Sequence, residues 1–152
     1  SPMSRGLGDV YKRQSVDVGG DRVAEMGAGL LVLVGVAKGD DQGAAEELAK
    51  KIVGLRIFED ADGKMNRSLE DTGGTLGLVS QFTLLADGRK GRRPSFGDAA
   101  PPERAEPLFE HLVSHAQSLG VPVVTGRFRT MMQVSLVNEG PVTLLLDTDR
   151  AF

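Results

Sequence analysis

Leu30-Leu31-Val32-Leu33-Val34-Gly35-Val36 is apolar throughout apart from its one glycine. A short run of this kind, bounded by glycine and lysine, predicts a strand covered on both faces. Downstream, Asp40 is the expected cap of a helix whose apolar positions Ala44, Ala45, Leu48, Ala49, Ile52 and Val53 share one face. Upstream, Val16 and Val18 alternate with polar neighbours, Gly19-Gly20 reads as a hairpin turn, and residues 22–26 return as a second short strand. The pattern continues with a strand at 55–58, a turn at Asp60-Ala61-Asp62-Gly63 leading into Lys64-Met65-Asn66, and a strand-like run at 75–85 interrupted by Gly77 and the polar pair Ser80-Gln81. Residues 86–102 hold Gly88, Gly91, Pro94, Gly97, Pro101 and Pro102 and read as a long loop, a feature that compact domains usually reserve for function. A second helix starts at Pro102, buries Ala105, Leu108, Phe109, Leu112, Ala116 and Leu119, and ends at Gly120. Strands are expected at 121–128, 131–137 and 142–147, the last two joined by a turn at Asn138-Glu139-Gly140-Pro141. Strands with two segregated helices make an α+β domain, a curled antiparallel or mixed, barrel-like sheet covered by two main helices. Residues 1–14 show no period of 2 or 3.6 and stand apart as an atypical segment: an expression scar, a misread frame or a disordered tail.

Composition bounds the chemistry. The chain has 152 residues, 40% hydrophobic and 26% charged, enough for one domain with its own core. With no cysteine, disulfides, thiol nucleophiles and thiolate metal sites are excluded. No apolar run approaches the ~18 residues of a spanning helix, so neither a membrane partner nor a secretory leader is expected. The 18 basic and 21 acidic residues leave a net charge of −3, which argues against broad coating of DNA or RNA. Arg5, Lys12 and Arg13 against Asp9 give the first fourteen residues +2, so the body from Ser15 carries −5. A nucleic-acid partner must therefore be gripped locally.

Few residues are candidates for that grip or for catalysis. Arg89-Lys90-Gly91-Arg92-Arg93 concentrates four basic side chains in the long loop, where they suit phosphate oxygens or simply solvent. Ser80-Gln81-Phe82-Thr83 is the odd sequence within an otherwise apolar strand. An unpaired buried amide or hydroxyl costs about 1–3 kcal/mol, so these side chains either face a ligand or a strand end, or Gln81 bonds a neighbouring backbone. His111 and His115, the only histidines, have the i, i+4 spacing of metal ligands. Leu112 stands where a zincin has glutamate, so no metal and no cofactor is expected. Their scarcity also leaves Thr83 without an evident base. Asn138-Glu139-Gly140-Pro141 is by itself an ordinary turn.

Taken together, SQFTL at 80–84, RKGRRPSF at 89–96 and NEGPVT at 138–143, preceded by MQVSLV at 132–137, resemble the bacterial D-aminoacyl-tRNA deacylases. GLLVLVGVAKGD at 29–40, KKIVGLRIFED at 50–60, GKMNRSL at 63–69 and DAAPPERAEPLFE at 98–110 extend the resemblance over nearly all of 15–147. It implies a deacylase domain at 15–152 and a cytoplasmic homodimer. The implied reaction hydrolyses D-aminoacyl-tRNA, and glycyl-tRNA mischarged on tRNA(Ala), at the 3′-terminal adenosine. Carried over by motif, Gln81, Phe82 and Thr83 are the catalytic residues, and Ser80, Met132 and Asn138 bind substrate. Gly140 and Pro141, as a cis peptide reaching into the partner subunit's pocket, reject L-aminoacyl esters by steric exclusion. Arg89, Lys90, Arg92 and Arg93 are assigned to tRNA phosphates. The implied catalysis is assisted by the ribose 2′-hydroxyl of the substrate. The chain departs from the family at Asp9-Val10-Tyr11-Lys12-Arg13-Gln14, where a Gln-Arg pair is usual, at Leu85, and at Arg129-Thr130-Met131. An impaired tRNA-binding homologue and a dimeric interaction module are the alternatives.

Overall fold

The computed structural model describes residues 5–150, with side chains from residue 14 onward; residues 1–4 of the atypical segment and 151–152 lie outside the described residues. The elements run β1 (Arg5–Val18), β2 (Asp21–Met26), β3 (Gly29–Gly35), α1 (Gln42–Gly54), β4 (Phe58–Glu59), β5 (Met65–Arg67), α2 (Leu69–Thr72), β6 (Thr75–Ser80), α3 (Pro102–Ser118), β7 (Val123–Thr125) and β8 (Gln133–Leu146). β1 is the spine of a mixed sheet. It pairs antiparallel with β3 from Arg5↔Gly35 to Tyr11↔Gly29, with β2 from Gln14↔Met26 to Val18↔Asp21, and with β8 from Gly6↔Leu146 to Asp17↔Gln133. β3, β6 and β7 are parallel neighbours, so helices fill the crossovers between them. Such crossovers are right-handed almost without exception, and two in succession moving the same way put α1 and α3 on one face.

The apolar run around Leu30 is covered on both sides. Leu30, Val32 and Val34 of β3, with Leu76 and Leu78 of β6, pack beneath Leu48, Ile52 and Val53 of α1 and Leu112 and Ala116 of α3. On the opposite face Leu31 and Val79 meet Val16, with Met132 and Val134 half-buried beside them. β2 and β7 approach one another at Ala24, Met26, Val124 and Thr125, which curls the sheet. No ladder joins these two strands among the described residues, so the sheet is curled and mixed without closing into a barrel.

Several local expectations are corrected. Asp41, not Asp40, caps α1, its Oδ1 accepting from the Ala44 N–H at 2.8 Å. Asp40 instead turns inward and accepts from the Ala37 N–H at 2.8 Å. Burial pushes its carboxyl up to about 6 against the pull of that N–H, and the nearby Asp147 and Asp41 charges add to the rise. The expected strand at 55–58 shrinks to Phe58–Glu59, paired with Met65–Arg67. Ser68 and Asp71 close a reciprocal capping box on the short α2, which has too few residues to show a helical period. The run at 75–85 stops as a strand at Ser80 and continues as a 3₁₀ turn, Phe82–Leu85. The strand at 121–128 contracts to Val123–Thr125, and the two expected at 131–137 and 142–147 are one strand, β8. β1 begins well before Ser15, although residues 5–13 lack alternation, because register with β3 and β8 decides it. Gln14 is only 4% exposed, in the apolar space between Met26, Gly77 and Gly126, and neither amide atom has a hydrogen-bond partner among the described residues.

Candidate functional site

The end of β6 carries the polar residues. Ser80, its last residue, pairs with Val34 of β3, and the Gln81 N–H donates to the Val34 carbonyl at 2.7 Å. There the ladder ends. The Gln81 carbonyl accepts from the Leu84 N–H and the Thr83 carbonyl from the Ala86 N–H, the bonds of a single tight turn. The turn lies close on β3 because residue 35 is glycine: a Cβ there would stand 3.3 Å from Leu84 Cβ and 3.5 Å from the Gln81 carbonyl oxygen. Leu85, at the departure from aromatic residues, is 2% exposed and pins the turn to the core. Phe82 and Thr83 are exposed, Gln81 and Ser80 half-buried. The Gln81 Nε2 donates to Thr83 Oγ1 at 2.9 Å, a side-chain partner and not the neighbouring backbone that one of the two readings gave it.

The basic loop is folded against this turn. Asp87 and Ser95 exchange both backbone hydrogen bonds, at 2.7 and 2.8 Å, closing the loop at its base. Arg89 folds back on Asp87 through Nε at 2.9 Å and Nη2 at 2.6 Å, and these bonds and the Asp87 charge hold its guanidinium protonated more firmly still. Lys90, Arg92 and Arg93 are exposed and make no ion pair among the described residues. Phe96, just beyond the bridge, sets its ring edge-on to Phe82 with centroids 5.2 Å apart. A polar cleft of about 310 Å³ between Leu85, Asp87, Arg89 and Asp98 adjoins both segments. Reading the sequence assigned no role to Gly35, Asp87 or Phe96. Asp two residues before Arg89 is the available signal for a folded-back turn, and Phe96 is the one aromatic residue in a polar loop.

Gly140 and Pro141 occupy a different place. Opposite β1, Asp9 pairs with Thr143 and Tyr11 with Asn138, so residues 139–142 face Val10 alone and bulge out of β8. Proline cannot donate to a ladder, and Gly140 takes φ +133°, a conformation that L side chains rarely adopt. The peptide between them is cis. Asn138 closes the neck of the bulge, its Oδ1 accepting from the Val142 N–H at 3.3 Å and its Nδ2 donating to Thr143 Oγ1 at 3.4 Å. The expected turn is therefore an excursion within one strand, not a reversal between two. Gln81 attaches level with Gly6 of β1 and the bulge level with Val10, on opposite sides of it. That separates them by about 13 Å along the strands and about 14 Å across them. One chain's sheet does not bring its own Gly140-Pro141 to its own Gln81.

The remaining candidates stand apart from the turn. Met132 is half-buried beside Val16 and Val79, with its sulfur close on Gly126. His111 and His115 lie between α1 and α3, where Glu46 Oε1 is 3.4 Å from His111 Nε2 and 3.8 Å from His115 Nδ1. Among the described residues no helix is long and apolar enough to cross a membrane.

Comparison with known proteins matches residues 10–147 to the family model described as D-Tyr-tRNA(Tyr) deacylase. The D-aminoacyl-tRNA deacylase of Symbiobacterium thermophilum is 54% identical over 140 residues, 92% of this chain and 93% of that protein. That of Thermomicrobium roseum is 58% identical over 134 residues, 88% of this chain and 87% of that protein. A solved structure titled c-Myc DNA Unwinding Element Binding Protein superposes with a TM-score of 0.90 at 35% identity, covering 95% of this chain and 98% of that one. A probable eukaryotic D-amino acid tRNA deacylase, at 17% identity and TM-score 0.82, shares the fold.

Proposed function

The chain belongs to the D-Tyr-tRNA(Tyr) deacylase family, and from that premise we propose that it hydrolyses the ester joining a D-amino acid, or glycine mischarged on tRNA(Ala), to the 3′-terminal adenosine of tRNA. The observation that carries this reading is the contact between the exposed Gln81-Phe82-Thr83 turn and the base of the loop bearing Lys90, Arg92 and Arg93. An acyl ester presented to the turn leaves its RNA phosphates within reach of those cations. The domain in this reading spans 15–152, with 1–14 an atypical, non-native segment, and the buried amide of Gln14, unpartnered among the described residues, supports that boundary.

The chemistry asks little of the protein. Water adds to the ester carbonyl, the bond from carbonyl carbon to the ribose 3′-oxygen breaks, and the departing oxygen takes a proton, releasing the amino acid and tRNA. The Thr83 hydroxyl is bonded to the Gln81 amide, which cannot serve as a base, and both histidines lie against Glu46. A substrate 2′-hydroxyl beside the reacting carbonyl serves as a proton relay, accepting the proton of the attacking water as it passes its own to the departing 3′-oxygen. Gln81, Phe82 and Thr83 then hold the acyl-adenosine end, with Ser80 and Met132 shaping its surroundings and Asn138 arriving with the bulge of a second copy, and backbone N–H groups of the turn stabilise the developing oxyanion. The Gly140-Pro141 bulge, distant from its own chain's turn, serves the pocket of a second copy in a cytoplasmic homodimer. There it fills the space an L side chain needs, while a D side chain points elsewhere and glycine has none to clash.

A chiral deacylation assay tests the reading. D-tyrosine and glycine are released from charged tRNA, and L-tyrosine is not. Binding of charged tRNA without turnover would identify an impaired homologue. No affinity for the acceptor end would identify an interaction module.

A further inference from the structure

Phe96 touches no reacting atom in the reading above, yet it is the side chain that joins the cationic loop to the catalytic turn. Phe82 is 58% exposed and Phe96 36%, and each supplies the other with a ring edge or face that water would otherwise meet. Phe96 follows Ser95, whose two backbone bonds to Asp87 close the loop, and Asp87 also holds Arg89 by two side-chain bonds. A displacement of loop 88–94 is therefore delivered through the Asp87–Ser95 bridge to the Phe96 ring, and from there to Phe82. Phe82 in turn lies between Gln81 and Thr83, whose side chains bond one another. Stacking and edge contacts between aromatic rings are directional, so the pair fixes orientation as well as burying surface.

We propose that Phe96 is a positioning residue that aligns the Gln81-Phe82-Thr83 turn with an RNA end held by Lys90, Arg92 and Arg93, so that phosphate capture and ester alignment are mechanically one event. The inference rests on the deacylase reading. Removing the ring leaves the phosphate contacts intact and the ester misaligned, and misplacement of about 1 Å costs orders of magnitude in rate while leaving binding in place. The signature is a loss in kcat with KM retained.

The test is steady-state deacylation of D-tyrosyl-tRNA by the full chain and by Phe96→Leu, Phe96→Tyr and Phe82→Leu, singly and with Phe82→Leu combined with Phe96→Leu. Phe96→Leu lowers kcat by about tenfold or more, while KM and its dependence on salt stay within about twofold. Phe96→Tyr, which keeps the ring, restores kcat to within about threefold of the unsubstituted chain. The double variant loses no more than the worse single one, because the two rings act as a unit. Circular dichroism confirms that each variant folds, and Phe96→Met, which keeps volume without a ring, replaces Phe96→Leu if that one does not. A kcat within about twofold for the ringless variant, a loss confined to KM, or single losses that multiply in the double variant overturns the inference. An unsubstituted chain that releases no D-tyrosine instead overturns the deacylase reading, and this inference with it.

Discussion

The turn at the end of β6 and the bulge in β8 are both breaks in a strand, but they are secured in different ways. The turn is backed by the core: Leu85 is buried, Gly35 admits the backbone closely, and the Gln81 N–H is anchored on β3. The bulge stands on the flank of the sheet, where Leu136, Val137 and Leu145 are exposed and the side chain of Asn138 ties the neck. A site that aligns an ester needs the first kind of support. Under the proposed function the bulge enters another subunit's pocket and so must leave its own subunit's surface, and the second kind of support allows that. The contrast also separates stability from selectivity, since the turn is held from beneath by the buried Leu85 while residues 139–141 of the bulge are exposed and lie outside the core.

The largest expected effect breaks the turn from beneath. Leu85→Ala removes a side chain that is 2% exposed, at a cost of about 2–5 kcal/mol through lost burial and the cavity left behind. A urea unfolding midpoint reads that loss directly. Deacylation falls with it even where the variant is fully folded, because Leu85 and the two bonded residues Gln81 and Thr83 share one turn. A folded Leu85→Ala chain with unchanged kcat would show that the core does not set the turn.

A smaller effect, of opposite sign, concerns the strand on which the bulge is paired. Gln14 lies in β1 opposite Leu136 of β8, buried with its amide unpartnered. A buried polar group without a partner costs about 1–3 kcal/mol, so Gln14→Ala raises the unfolding midpoint by the equivalent of about 1 kcal/mol after the lost contacts of the side-chain stem. A lower midpoint would mean that the amide contributes more than its burial costs. The side chain fills the space between Met26, Gly77 and Gly126, none of which lies in the Gln81 turn or the bulge, so kcat is unchanged.

How much of this was legible in the sequence follows the same division. The apolar run around Leu30 and the two amphipathic helices announce themselves through period and composition, and the residues of both core faces follow from them. The polar residues Ser80 to Thr83 mark a site, but their conformation is set by the loss of a ladder partner beyond Val34, a tertiary fact. Gly-Pro reads equally as a reversal or a bulge. Register with β1 decides between them, and register is long-range. Residues 5–13 lack alternation, so only their pairing with β3 and β8 reveals a strand. Asp87 and Phe96 escaped notice because their role lies in what they touch, not in their spacing.

The smallest effect on stability carries the most information about the bulge. Asn138→Ala removes, among its contacts, the long hydrogen bonds of 3.3 and 3.4 Å at the neck, and costs about 1 kcal/mol. Its unfolding midpoint is nearly that of the unsubstituted chain. Selectivity responds differently under the proposed function, in which excluding an L side chain depends on where the backbone of Gly140 and Pro141 sits, and Asn138 ties both Val142 and Thr143 at the base of that excursion. With the neck untied, the excluded volume is spread over more positions, and L-tyrosine release from charged tRNA becomes measurable while D-tyrosine release stays within about threefold. An unaltered ratio of D to L release would show that β1 pairing on either side of the bulge holds it without Asn138. A parallel loss of both activities would instead place Asn138 in substrate binding alone. Because the core is untouched, a change in the ratio at constant midpoint is attributable to the bulge and not to partial unfolding.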